Sequence, residues 1–211
     1  MKKFTIEQQI WFSSKASKKL KSLEPVFNNL RSIHLAYILG EAGKDHPYWY
    51  NERTHVGLLA AAVWLSGGTA LEEFKAEKEH KNKGTRCDLW IRTNKAAFEC
   101  EAKHLWLNLE EKTEDLILKL GKKLHLAVQD VRSLEKHRGL AFCFAIPGIH
   151  CESKKRDTLD KLVHDLIEST KNPIKNPSCD ALVWIGFKKE RNPMGNPCLL
   201  PGLLLAIKEV K

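Results

Sequence analysis

The feature that most constrains the fold is the double glycine Gly67-Gly68, where the spacing of apolar residues changes from helical to alternating. Upstream, Val56, Leu59 and Val63 recur at helical intervals behind Asn51, whose short side chain suits a helix N-cap. The glycines supply a helix stop. Downstream, residues 69–77 alternate, and two apolar runs, 86–92 and 96–107, are separated only by Thr93, Asn94 and Lys95. This predicts one strand followed by a hairpin-like pair. A chain that changes period in this way stacks helices on a sheet.

The flanks extend that layout. Ile6, Ile10, Leu20 and Leu23, then Val26, Leu30, Ile33 and Tyr37, recur roughly at helical spacing, with Pro25 placed to open the second of two predicted helices. Residues 108–136 carry Leu109, Leu116, Leu120, Leu124, Ala127 or Val128, Val131 and Leu134, a long amphipathic helix with a weak point at Gly121. A buried strand is expected over 139–146, ending at Pro147, then a helix over 157–169 before Pro173 and Pro177, and strands over 180–187 and 203–210. The predicted class is α/β, a mixed central sheet flanked by helices, in one domain of 211 residues. Within it, 1–50 forms an N-terminal helical part, 52–146 the core, and 147–211 a helix and strands completing the sheet.

Lys and Arg (35) exceed Asp and Glu (26), leaving a net charge of +9 that favours polyanionic partners without naming one. Six scattered cysteines, Cys87, Cys100, Cys143, Cys151, Cys179 and Cys198, form no close pair and read as reduced, mostly core residues. No apolar run is long enough for a membrane helix, and residues 1–12 lack the apolar stretch of a secretory signal, so a soluble cytoplasmic protein without a membrane partner is expected. His46, His55, His80 and His104 lack zinc-site spacing, residues 40–44 are too short for a nucleotide phosphate loop, and no nucleophile elbow surrounds a serine.

Chemistry concentrates in Asp88, at the edge of the first hairpin run, and in Glu99, Glu101 and Lys103 on the second. Alternation puts Glu101 and Lys103 on one strand face, roughly 6 to 7 Å apart, and hairpin pairing brings Asp88 to Glu101. Two converging carboxylates suit Mg²⁺, with Mn²⁺ as a substitute, because Mg²⁺ commonly takes one or two carboxylates and leaves other positions to water and substrate phosphate. Lys103 is then placed to orient or help deprotonate the attacking water and to stabilise transition-state charge. The same residues also describe an ordinary solvated sheet face.

Asp88, Glu101 and Lys103 resemble the Asp…Glu-x-Lys signature of the PD-(D/E)XK nuclease superfamily, which includes restriction endonucleases, repair nucleases and resolvases. The predicted order over 52–146, helix, three strands, helix, strand, is similar to that superfamily's core, and the resemblance covers about half the chain. It implies a restriction-endonuclease-like core, a metal held by Asp88, Glu101 and the Ala102 backbone carbonyl, and Lys103 as the catalytic lysine. It also implies an accessory acid from the preceding helix, Glu52, or less readily Glu73 on the first strand. Glu99 departs from the pattern, since many members carry an apolar residue there; it reads as a further ligand, a support for Lys103, or a sign of a different register.

The expected activity is metal-dependent hydrolysis of nucleic-acid phosphodiesters, with DNA as substrate. The alternatives are a catalytically silent nuclease fold that binds nucleic acid or protein, and a basic interaction protein in which the trio is coincidental. Lys122, His125, Gln129, Arg132 and Lys136 form one polar stripe on the long helix, either a phosphate-backbone contact or a solvated face. Some exonuclease-like members pair a Gln with a Tyr four residues on; Gln129 fits, but position 133 is Ser. Lys15, Lys18, Lys19 and Lys21 read as a solvated or phosphate-tracking helix end, and Tyr48, Trp49 and Tyr50 as core closure or a base-stacking platform. Association into a homodimer is compatible with the sequence.

Overall fold

The computed structural model describes residues 6–41, 43–76, 85–134, 138–150, 152–172, 179–187 and 198–211. The elements are β1 (Ile6–Phe12), α1 (Lys18–Lys21), α2 (Glu24–Gly40), α3 (Glu52–Leu65), β2 (Thr69–Ala76), β3 (Thr85–Arg92), β4 (Ala97–Asn108), α4 (Thr113–Arg132), β5 (Gly139–His150), α5 (Leu159–Lys171), β6 (Ala181–Phe187), β7 (Cys198–Leu199) and β8 (Gly202–Val210). Glu77, His80, Gly84, Lys136, Cys151, Pro173 and Pro177 lie outside the described residues.

The period switch is built as the residues dictate. Asn51 Oδ1 accepts the Thr54 N–H at 3.2 Å and opens α3. Gly67 closes it with φ of 74°, and the Gly68 N–H returns to the Val63 carbonyl at 3.0 Å. A side chain at Gly68 would put Cβ 2.6 Å from the Arg92 carbonyl, so close approach of helix and sheet requires glycine there.

The sheet runs β1-β6-β8-β5-β4-β3-β2, with β7 paired to β5. β4 and β5 are parallel, joined by a crossover through α4, and the remaining pairs are antiparallel. Cys100, Ala102, Leu140, Phe142 and Phe144 pack against α2 and α3, whereas Leu107, Ala141, Cys143 and Ala145 pack against α4 and α5. The predicted mixed sheet flanked by helices is therefore present.

Three local expectations differ. The predicted first helix is β1, an edge strand whose Ile6 and Ile10 spacing fits period two as well as a helix; pairing with β6 decides between them. The part spanning 1–50 is thus not purely helical. β5 continues through Pro147 to His150, because β8 pairs it only as far as Ala145↔Leu204 and a missing N–H is tolerated beyond that point. The long helix starts at Thr113 and runs unbroken through Gly121.

Candidate functional site

The β3–β4 hairpin sets the geometry. Thr93 Oγ1 accepts the N–H groups of Lys95 and Ala96 at 3.2 and 3.1 Å, fixing the turn and with it the register from Arg92↔Ala97 to Leu89↔Cys100. Asp88 comes next on β3, level with Glu101. Backbone pairing stops there, and Asp88 Oδ2 accepts the Ala102 N–H at 2.8 Å. The Asp88 carboxylate is thereby held on the β4 backbone between Glu101 and Lys103.

Glu101 is 5% exposed, and its Oε1 has no hydrogen-bond partner. Burial, then the charge of Asp88 and a shared side-chain hydrogen bond with it, then Asp130, push its carboxyl up to about 8 against the opposing pull of Lys103. Lys103 Nζ meets Asp130 Oδ2 on α4 at 2.7 Å. Burial alone would lower the Lys103 pKa, but the hydrogen bond and charge of Asp130, with Glu52 and Asp88, outweigh it and leave the net shift upward. Glu52, in the first turn of α3, is raised by burial and by Asp88, with Lys103 and the His104 backbone N–H pulling the other way.

The structure therefore brings together Asp88, Glu101, Lys103 and Glu52, and adds Asp130, which the sequence reading missed. Asp130 and Lys123 lie two helical turns apart on the flank of α4 nearest β4, half-buried, and Lys123 is felt by Glu52 and His104. The stripe of Lys122, His125, Gln129 and Arg132 is exposed instead, one position round the helix. A half-polar position bordering the buried Ala127 and Val131 was the available signal for Asp130.

Other candidates lie apart from the carboxylate pair. Glu99, 8% exposed, lines a cleft of about 500 Å³ with Lys19, Trp90, Arg138, Glu209 and Lys211. The Glu73 carboxylate bridges Arg53 and Arg86. Tyr48 is core, its hydroxyl donating to the Leu200 carbonyl at 3.1 Å, while the exposed Tyr50 donates to Asp45 at 2.5 Å.

The chemistry of the donor set fits a hard divalent cation: two adjacent carboxylates, one deeply buried with an oxygen left without a partner. No group of three or more His, Cys, Asp or Glu side chains stands ready for a metal ion among the described residues. Mg²⁺ needs only one or two carboxylates. No helix among the described residues is long and apolar enough to cross a membrane. Comparison with family models, curated proteins and solved structures finds no match to this chain.

Proposed function

We propose that the protein is a Mg²⁺-dependent nuclease that hydrolyses nucleic-acid phosphodiester bonds, with DNA as substrate, in the manner of PD-(D/E)XK enzymes. The observation that carries this reading is the buried Glu101 carboxyl pressed against Asp88 with one oxygen unpartnered. Two carboxylates in such a place ionise together only when a cation joins them; without one, Glu101 keeps its proton to about pH 8. The order helix α3, antiparallel β2, β3 and β4, helix α4 and parallel β5 supports the resemblance as well.

Asp88, Glu101 and the Ala102 carbonyl would hold the ion, with Glu52 as an outer carboxylate. A bound Mg²⁺ supplies Lewis acidity toward the phosphate and lowers the pKa of water. Asp88, anchored by the Ala102 N–H, contributes a pre-oriented ligand. Lys103, held by Asp130 and raised in pKa, keeps its proton near neutrality. Its role is to orient water and neutralise charge developing on phosphate oxygens, rather than to take a proton. The basic surplus supplies general attraction for the polyanion.

The test compares parent, Asp88→Asn and Glu101→Gln for cleavage of plasmid and oligonucleotide DNA with Mg²⁺ or Mn²⁺, and for binding in chelator. Cleavage by the parent alone, abolished by chelator, is expected, with binding in chelator retained in Glu101→Gln, whose carboxyl already holds its proton near neutrality, and retained or tightened in Asp88→Asn, where a phosphate-repelling charge is gone. Cleavage surviving both substitutions would place the active site elsewhere. Binding without cleavage by the parent, across metals and substrates, would favour a silent binder on the same fold.

A further inference from the structure

Among the described residues, Glu73 of β2 is the non-glycine residue with a left-handed backbone, φ 47°, a conformation unfavourable for an L-residue with a side chain. It stands level with Asp88, between the pairs Glu72↔Leu89 and Phe74↔Cys87. In a regular strand Glu72 and Glu73 would face opposite sides of the sheet. Here the alternation breaks, and both reach α3. The Glu72 carboxylate lies 3.5 Å from where a Cβ on Gly57 would stand, while Glu73 contacts Arg53 and, at 2.8 Å, Arg86 of β3. Phe74 then packs with Cys87 and Leu134.

The two arginine side chains are 77% and 72% exposed. Exposed ion pairs contribute little to stability, so stability is a poor reason to keep a strained backbone that holds two like charges on one carboxylate. Position offers a better one. Arg53 follows Glu52 directly on α3, Arg86 precedes Asp88 by two residues on β3, and the Glu73 they share stands level with Asp88, so both arginines belong to elements that carry the carboxylates. A phosphodiester presents two non-bridging oxygens much as a carboxylate presents its pair, and guanidinium forks match both.

Resting on the nuclease reading, we propose that Arg53 and Arg86 grip a phosphate of the nucleic-acid strand entering the Asp88–Glu101 site, and that Glu73 occupies the grip until phosphate replaces it. Glu73 is thus a positioning residue, spacing the arginines in the free protein, and not the accessory metal ligand that the sequence suggests as one option.

The test is equilibrium binding of labelled single-stranded and double-stranded DNA in chelator over a salt series, so that no cleavage is needed. Arg53→Ala and Arg86→Ala should each weaken binding and make the dependence of log affinity on log salt shallower by about one. Arg53→Lys and Arg86→Lys should keep the slope, and Glu73→Gln should tighten binding severalfold at low salt by removing the competing carboxylate. Alanine variants that bind with the parent's affinity and slope would overturn the grip while leaving cleavage, measured separately, to judge the nuclease reading. A Glu73→Gln protein with a lower melting temperature and unchanged affinity would make the trio a brace only and overturn it too. Failure of the parent to bind either DNA also overturns the grip, whatever the cleavage assay returns.

Discussion

Lys103 Nζ on β4 and Asp130 Oδ2 on α4 lie 2.7 Å apart, a contact between residues separated by the whole turn from strand to helix. It fixes a flexible ammonium beside two carboxylates and holds it protonated. The direct contact of Asp130 is with Lys103, and its charge also bears on Glu101.

Lys103→Ala is accordingly expected to slow cleavage by orders of magnitude with metal binding nearly intact. Asp130→Asn should cost roughly 10- to 100-fold in kcat, as supporting residues around metal sites do, with little change in KM. It should also move the alkaline limb of the pH–rate profile to lower pH, because the strongest force raising the Lys103 pKa is lost. Asp130→Glu should recover part of the rate. An unchanged profile in Asp130→Asn would remove Asp130 from the mechanism.

Glu101 makes a second prediction, on stability. Its folded pKa, about 8, lies above that of an unfolded glutamate, so between about 4.5 and 8 the folded state binds the extra proton. Its contribution to stability is then present at low pH and lost as pH rises through that window. In chelator, Glu101→Gln should be more stable than the parent at pH 8, by roughly 2–4 kcal/mol, and the difference should shrink toward pH 5. Thermal melts at the two pH values measure this, and equal melting temperatures at pH 8 would contradict it.

Metal binding supplies the complementary result. A cation that binds the folded chain alone stabilises it by about 2.7 kcal/mol at a hundred times its Kd. Mg²⁺ or Mn²⁺ should therefore raise the melting temperature of the parent at pH 8 and release protons as Glu101 ionises. Asp88→Asn should lose most of the shift. The check is a melt series with calorimetry in two buffers of different ionisation enthalpy.

The buried histidines set an acid limit. His34 and His46 are lowered to about 4 and His55 to about 3, in each case chiefly by burial. His34 Nδ1 bonds the Leu30 carbonyl at 2.8 Å, His46 packs among Tyr48, Trp49 and Phe187, and His55 stacks on His104 and Phe144. Below about 6.5 the unfolded chain takes up protons that these folded sites refuse, so stability falls as pH drops from there toward 4. Each histidine contributes about 1.4 kcal/mol per pH unit within its window. Denaturant melts at pH 7, 6 and 5 should show this fall, and His55→Phe should flatten it. A pH-independent midpoint from 7 to 5 would contradict the burial argument.

What the sequence alone determined is what local chemistry encodes. The switch of period at Gly67-Gly68, the Asn51 cap, the short 93–95 connection and strand alternation together placed α3, the β3–β4 hairpin, and Asp88 level with Glu101 and near Lys103. Those signals act over a few residues, where backbone hydrogen bonding and side-chain direction are set by the neighbours themselves. Tertiary structure decided the rest. Ile6–Phe12 became a strand because β6 offered it an open edge, and Glu101 acquired its raised pKa only once α4 and the sheet had removed water from around it. Asp130 and Glu73 were assigned by partners far along the chain, one by Lys103 and the other by a left-handed backbone that turns it toward Arg53. Periodicity says which way a side chain points from its own element, but not what another element will bring to meet it.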